Sequence, residues 1–155
     1  MRAPGDRVQA PAAARPTAVR PVLLATLDVP LADEAARVAV DSAVEAGQPL
    51  LVVNVVERAF LPGTLAGWDI PSAPDVEESL RAPAALGHSL GVPVERLRVR
   101  TPHPVDALLE LVAERAPGLL VFGPDRGRMP ARRYRKAARA VERRAPCLVW
   151  LAGDS

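Results

Sequence analysis

The chain has 155 residues, 49% of them hydrophobic and 3% aromatic, which fits one domain with an Ala, Val and Leu core and excludes a disordered chain. Twenty basic residues against eighteen acidic give a net charge of +2, too balanced for a protein that coats nucleic acid over its whole surface. The single cysteine, Cys147, excludes an internal disulfide, no Cys/His spacing fits a metal site, and no apolar run approaches the roughly 18 residues of a membrane span.

Residues 1–20 carry Pro4, Pro11 and Pro16 with no hydrophobic period and are expected to form a flexible or extended arm ahead of a domain over 21–155. The arm lacks the continuous apolar stretch of a secretory signal, so a cytoplasmic location is expected. Residues 22–27 are a continuous apolar run, as in a strand covered on both faces, ending at Asp28 and broken by Val29-Pro30. Residues 33–46 read as a helix with Ala35, Val38, Ala39 and Ala43 on one stripe and Gly47 as its stop. A second buried strand is predicted at 50–56.

Residues 58–74, with Pro62, Gly63, Gly67 and Pro71, read as a long loop of the kind that forms lids or contact surfaces. A helix over 75–90 follows, which Pro83 is expected to kink or interrupt. Residues 94–101 alternate, Leu97 and Val99 against Arg96, Arg98 and Arg100, which suggests an edge strand with one solvated face. Residues 104–116 form a helix opened by Pro104, 119–123 a short buried strand ending in Gly123, 132–144 a basic helix, and 147–151 a last apolar strand. Strands alternating with helices call for right-handed crossovers and an α/β, doubly wound (Rossmann-like) parallel sheet.

Charge is concentrated. Between Asp125 and Arg144 lie nine basic residues against two acids, leaving the remainder with a net charge of −5. As a nucleic-acid element this segment lacks stacking aromatics beyond Tyr134 and belongs to no recognised motif, so sequence-specific DNA binding is not expected. It reads either as the solvated face of an α/β domain or as an anion- or RNA-binding module, or a contact for an acidic or phosphate-bearing partner.

Three segments resemble the universal stress protein family: Leu23-Leu24-Ala25-Thr26-Leu27-Asp28; Leu51-Val52-Val53-Asn54-Val55-Val56-Glu57; and the stretch from Leu119 through the basic helix to Arg144-Ala145-Pro146-Cys147-Leu148-Val149. The resemblance spans about 21–151. It implies a five-stranded sheet of order 3-2-1-4-5, like the adenine nucleotide alpha hydrolases. It also implies a homodimer formed by edge pairing of the last strand, Cys147, Leu148, Val149, Trp150 and Leu151, whose apolar edge lacks protecting charges.

ATP-binding members of that family place an acid after strand one and Gly-x2-Gly-x9-Gly-Ser/Thr after strand four, where backbone N–H groups and a helix N-terminus receive phosphate. Asp28 matches the acid, Val55 the wall from strand two, and Gly123 the first glycine. Arg126 stands at the second glycine, with Gly127 one position late. Lys136 and Ala137, or Arg135-Lys136 when counted back from Ala145-Pro146-Cys147, stand where Gly-Ser/Thr is needed.

The resemblance therefore favours the branch without the ATP motif: a regulatory, stress-associated binding protein with no cofactor and no catalysis. The alternatives are an ATP- or AMP-binding member with a degenerate loop, at most a slow ATPase, and a crevice in which Arg126, Arg128 and Lys136 grip a smaller anion by charge. Asp28 holds a ribose or adenine, or caps a helix. His103, at the end of strand three, is a plain loop histidine or a general base that needs a partner. Cys147 reads as a small core residue.

Overall fold

The computed structural model of the protein describes residues 18–58 and 70–152. Residues 1–17 of the expected arm and 59–69 of the expected loop lie outside the described residues. The described chain alternates β1 (Val22–Thr26), α1 (Asp33–Ala46), β2 (Leu50–Glu57), α2 (Pro74–Ser89), β3 (Val94–Thr101), α3 (Pro104–Arg115), β4 (Leu119–Phe122), α4 (Ala131–Arg144) and β5 (Leu148–Leu151). A 3-10 turn, Arg126–Arg128, lies between β4 and α4.

All pairings are parallel and the sheet order is β3-β2-β1-β4-β5, the doubly wound order expected. All five residues of central β1 are buried, because helices cover both faces of a parallel strand. Leu23, Ala25 and Leu27 face Leu108 and Val112 of α3 and Ala137 and Val141 of α4. Val22 and Leu24 face Ala35 and Ala39 of α1 and Val76 and Leu80 of α2. Each fully buried leucine contributes about 1.5–3 kcal/mol, so the alternation within β1 holds both helical layers.

Gly47 closes α1 in the left-handed region at φ 63°. Its N–H donates to Val44 O (3.2 Å), and that of Gln48 to Ala43 O (3.0 Å), an ending a side chain would strain.

Of the two outcomes expected at Pro83, interruption does not occur: the helix is continuous from Pro74 to Ser89. Pro83 removes one hydrogen bond, but it shares a buried stripe with Val76, Leu80, Ala84 and Gly87, and packing of that stripe outweighs the local loss. β3 is an edge strand as expected, yet its arginine face is partly covered. Arg96 Nη2 lies 3.3 Å from Glu77 Oε2 of α2, and Arg98 Nη2 donates to Ile70 O at 2.6 Å. At the opposite edge β5 starts at Leu148, one residue later than expected, with Cys147 half-buried just before it.

Candidate functional site

The carboxyl ends of β1 and β4 are adjacent in the sheet, yet the next strands lie on opposite sides of them, the place where open α/β sheets take ligands. Asp28 follows β1 with a positive φ of 57°, a conformation that aspartate tolerates better than most residues. Its main-chain N–H donates to Asn54 Oδ1 at 2.8 Å. Asn54 Nδ2 donates to Asp28 Oδ1 (3.3 Å) and to Ser72 Oγ (3.1 Å), and Ser72 Oγ donates to the same carboxylate oxygen at 2.8 Å. Thr26 Oγ1 closes the turn on Val29 O at 2.7 Å. Asp28 does not cap α1: the N-cap is Ala32, without a side-chain bond. It is the exposed member of a polar cluster whose hub, Asn54, is buried.

Gly123 stands immediately after β4. A Cβ there would fall closer to Ala35 Cβ of α1 than two carbons can approach. The residue is glycine because α1 crosses it, a packing requirement that operates without any ligand.

The loop after Gly123 is laced to the loop after β1. Ala32 N donates to Gly123 O (2.9 Å), Asp125 N donates to Pro30 O (2.8 Å), and Leu31 and Pro124 form an antiparallel bridge. Three further donors turn inward: Gly123 N to Ala25 O (2.9 Å), Gly127 N to Asp125 Oδ1 (2.9 Å) and Arg128 N to Asp125 O (3.0 Å). Thus the N–H groups of Gly123, Asp125, Gly127 and Arg128 all have acceptors within the chain.

The arginines of this loop are likewise engaged. The Arg126 guanidinium lies 4.6 Å from the centroid of the Tyr134 ring, a cation–π geometry, and Tyr134 stacks on Phe122 at 6.0 Å. Arg128 Nη1 sits 2.6 Å from Asp75 Oδ2 at the start of α2. That hydrogen bond, reinforced by charge, holds the Asp75 carboxyl below the ordinary aspartate range.

Lys136 belongs elsewhere. α4 already begins at Ala131, so the family spacing from Gly123 reaches Lys136 and Ala137 inside the helix, past its N-terminus.

A cleft of about 380 Å³ opens beside this junction, where the ends of β1, β2 and β3 meet α3 and α4. Leu27, Val105, Ala137 and Ala140 give it an apolar lining, while Glu57, His103, Asp106, Arg133, Lys136 and Arg144 supply its polar groups. Arg133 Nη2 lies 3.6 Å from Glu57 Oε1, and Arg144 Nη1 lies 2.9 Å from Asp106 Oδ1. Among the described residues Lys136 pairs with no carboxylate, and the His103 ring has no hydrogen-bond partner. Among the described residues, none is placed to orient His103 as a general base.

Of the residues expected around the nucleotide-like crevice, Asp28, Gly123, Arg126, Gly127 and Arg128 sit on the two laced loops, and only Lys136 lines the cleft. Val55, expected as the wall from strand two, is not among the residues lining the cleft. It is 1% exposed within the core, and Glu57, two residues on along the same face, lines the cleft instead. Sequence reasoning missed Glu57, Asp106, Arg133 and Arg144. The spacing of Arg133, Ala137, Ala140 and Arg144 (i, i+4, i+7, i+11) could have found part of the set, since those positions share one face of a helix.

Among the described residues no group of His, Cys, Asp and Glu is arranged to hold a metal ion, and no helix is long and apolar enough to cross a membrane. Burial pushes the Cys147 thiol up, against a counteracting hydrogen bond from the Leu120 backbone, which disfavours the thiolate form a nucleophile needs. Along β5, Leu148 is 74% exposed while Val149, Trp150 and Leu151 are half-buried.

The profile of the universal stress protein family matches residues 18–152. The chain belongs to that family. No curated protein matches it.

Three solved universal stress proteins illustrate the likeness of fold. One, in complex with cAMP, is 23% identical with a TM-score of 0.59, the match covering 90% of this chain and 100% of that one. A universal stress protein from Archaeoglobus fulgidus in complex with dAMP is 22% identical, with a TM-score of 0.61 over 87% of this chain and 98% of that one. A family member from Arabidopsis thaliana with AMP bound is 17% identical, with a TM-score of 0.52 over 88% and 92%. At these identities the likeness carries the architecture, and the residues of this universal stress protein must carry its chemistry.

Proposed function

We propose that this universal stress protein is a homodimeric, cytoplasmic, non-catalytic regulatory protein of the stress response that does not hold ATP at the β4 loop. The commitment of the main-chain donors after β4 supports this reading most directly. A triphosphate gripped by backbone would need N–H groups that are already bonded to Ala25, Pro30 and Asp125. It would also need a helix N-terminus at a position that is already inside α4. Breaking those internal bonds strands buried acceptors, a cost the incoming phosphates must first offset.

Thermal melting with ATP, AMP and pyrophosphate tests the proposal. A ligand present at a hundredfold its dissociation constant adds about 2.7 kcal/mol to native stability, a rise of roughly 5–10 °C for a chain of this size. No rise is expected with any of the three at millimolar concentration. A clear ATP-dependent rise would overturn the reading.

One observation favours a second reading. The cleft places unpaired Lys136 beside an apolar lining, and the solved relatives include complexes with cAMP, dAMP and AMP. A monophosphate nucleotide seated there would raise the melting temperature with AMP and leave it unchanged with pyrophosphate.

Homodimerisation is proposed through β5, where an open edge and exposed Leu148 offer strand pairing to a second copy. Sedimentation at micromolar concentration should show a dimer, and Trp150→Lys should shift it toward monomer. A wild-type monomer at that concentration would rule the arrangement out.

A further inference from the structure

The outer face of α4 carries a charge arrangement that the fold does not use and that the cleft shares only through Lys136. Tyr134, Ala137, Ala138 and Val141 are the buried face of the helix, and Arg133 and Arg144 turn toward the cleft and its carboxylates. With about 100° per residue, Arg132, Arg135, Lys136, Arg139 and Arg143 fall within an arc of about 100° opposite the buried face. All five are exposed, and among the described residues none meets a carboxylate.

Apart from Arg143, which lies in the last turn where the dipole favours a cation, these charges do not serve the helix. Arg132–Lys136, Arg135–Arg139 and Arg139–Arg143 are like-charge pairs at i, i+4, a spacing that destabilises a helix. Arg132 and Arg133 occupy the first turn, which contains no acid, against the preference of the helix dipole for negative charge at that end. The repulsion amounts to about 0.2–0.5 kcal/mol per pair, and an anionic surface laid against the row would relieve it.

We infer that this face docks on the phosphate backbone of duplex nucleic acid, without reading sequence. The five cations lie along about 16 Å of helix axis at 1.5 Å per residue. Phosphates of one strand rise about 3.4 Å each along the duplex axis while the strand winds round it in about 10 steps, so about two or three of them face the row. The face lacks the side chains that strengthen contact with other anionic surfaces. No aromatic or large apolar side chain stands in the row to stack on unpaired bases, to enter a lipid headgroup layer or to anchor a protein interface. The one aromatic residue of α4, Tyr134, is buried.

Fluorescence anisotropy of a labelled, mixed-sequence DNA duplex titrated with the full chain across a salt series tests the inference. Binding should be sequence-independent, and the logarithm of its association constant should fall against log salt with a slope of about −2 to −3. Arg132→Gln/Arg139→Gln/Arg143→Gln should flatten that slope by about two units while leaving the melting temperature unchanged or slightly raised. Arg81→Gln, which removes a paired arginine of α2, should leave the slope alone. If the triple variant melts early, Arg139→Gln alone still reads out as a change of about one unit. Absence of duplex binding at low salt would overturn the inference. So would a slope the triple variant does not change, or equal affinity for polyglutamate or for phosphatidylserine vesicles.

Discussion

Replacing Gly123 with alanine is expected to destabilise the native state by about 1–3 kcal/mol, the range for forcing a methyl group into a closed contact. The new Cβ would run into Ala35 Cβ with Leu24 Cδ1 and Leu31 Cδ2, each 3.5 Å away, closing the other sides. α1 cannot retreat easily, because Ala32 N is tied to Gly123 O at 2.9 Å and Ala39 and Ala43 pack against the sheet further along. The decisive variant is Gly123→Ala combined with Ala35→Gly. Alone, Ala35→Gly should cost about 0.5–1 kcal/mol through helix propensity. Together the two should lose less than the sum of the singles, since the methyl moves from one side of the contact to the other. Urea denaturation of the four proteins measures the coupling. Strict additivity would show that Gly123 is glycine for some reason other than the approach of α1.

Asn54→Leu should cost about 1–3 kcal/mol despite conserving volume. Asn54 is 1% exposed, and its amide accepts from Asp28 N while donating to Asp28 Oδ1 and Ser72 Oγ. Leucine fills the space and leaves the Asp28 N–H without its acceptor, in a backbone conformation that is already uncommon. Against a total stability of about 5–15 kcal/mol, this is a substantial loss from one side chain. Hydrogen exchange of the Asp28 amide should accelerate by more than the global loss alone requires, because the turn itself is released. A cycle with Ser72→Ala should show coupling, since the two side chains share one carboxylate. Unchanged Asp28 exchange would mean that the turn is held by Thr26 and its neighbours without Asn54.

Much of the fold was legible in the chain. The apolar runs of β1, β2 and β4 leave no polar face, so helices must cover both sides, and the helical stripes lie between them in sequence. β3 announced itself as an edge by its alternation with arginine. Whether Pro83 would end its helix was not legible, because packing of its stripe is a tertiary contribution larger than one lost hydrogen bond. The candidate site was less legible. Asp28, Asn54 and Ser72 are 26 and 18 residues apart in turn, and nothing local says that their side chains meet.

The chain by itself determined the layers, the absence of a Gly-Ser/Thr step after β4, and the concentration of positive charge on one helix, because each is written in the order and period of residue types. Only the tertiary structure decided that Gly123 answers to Ala35, that Arg133 and Arg144 turn to the cleft while Arg132, Arg139 and Arg143 face solvent, and that the β4 loop spends its N–H groups on its own chain. Those outcomes depend on distances between segments remote in sequence, set when the two helical layers close on the sheet.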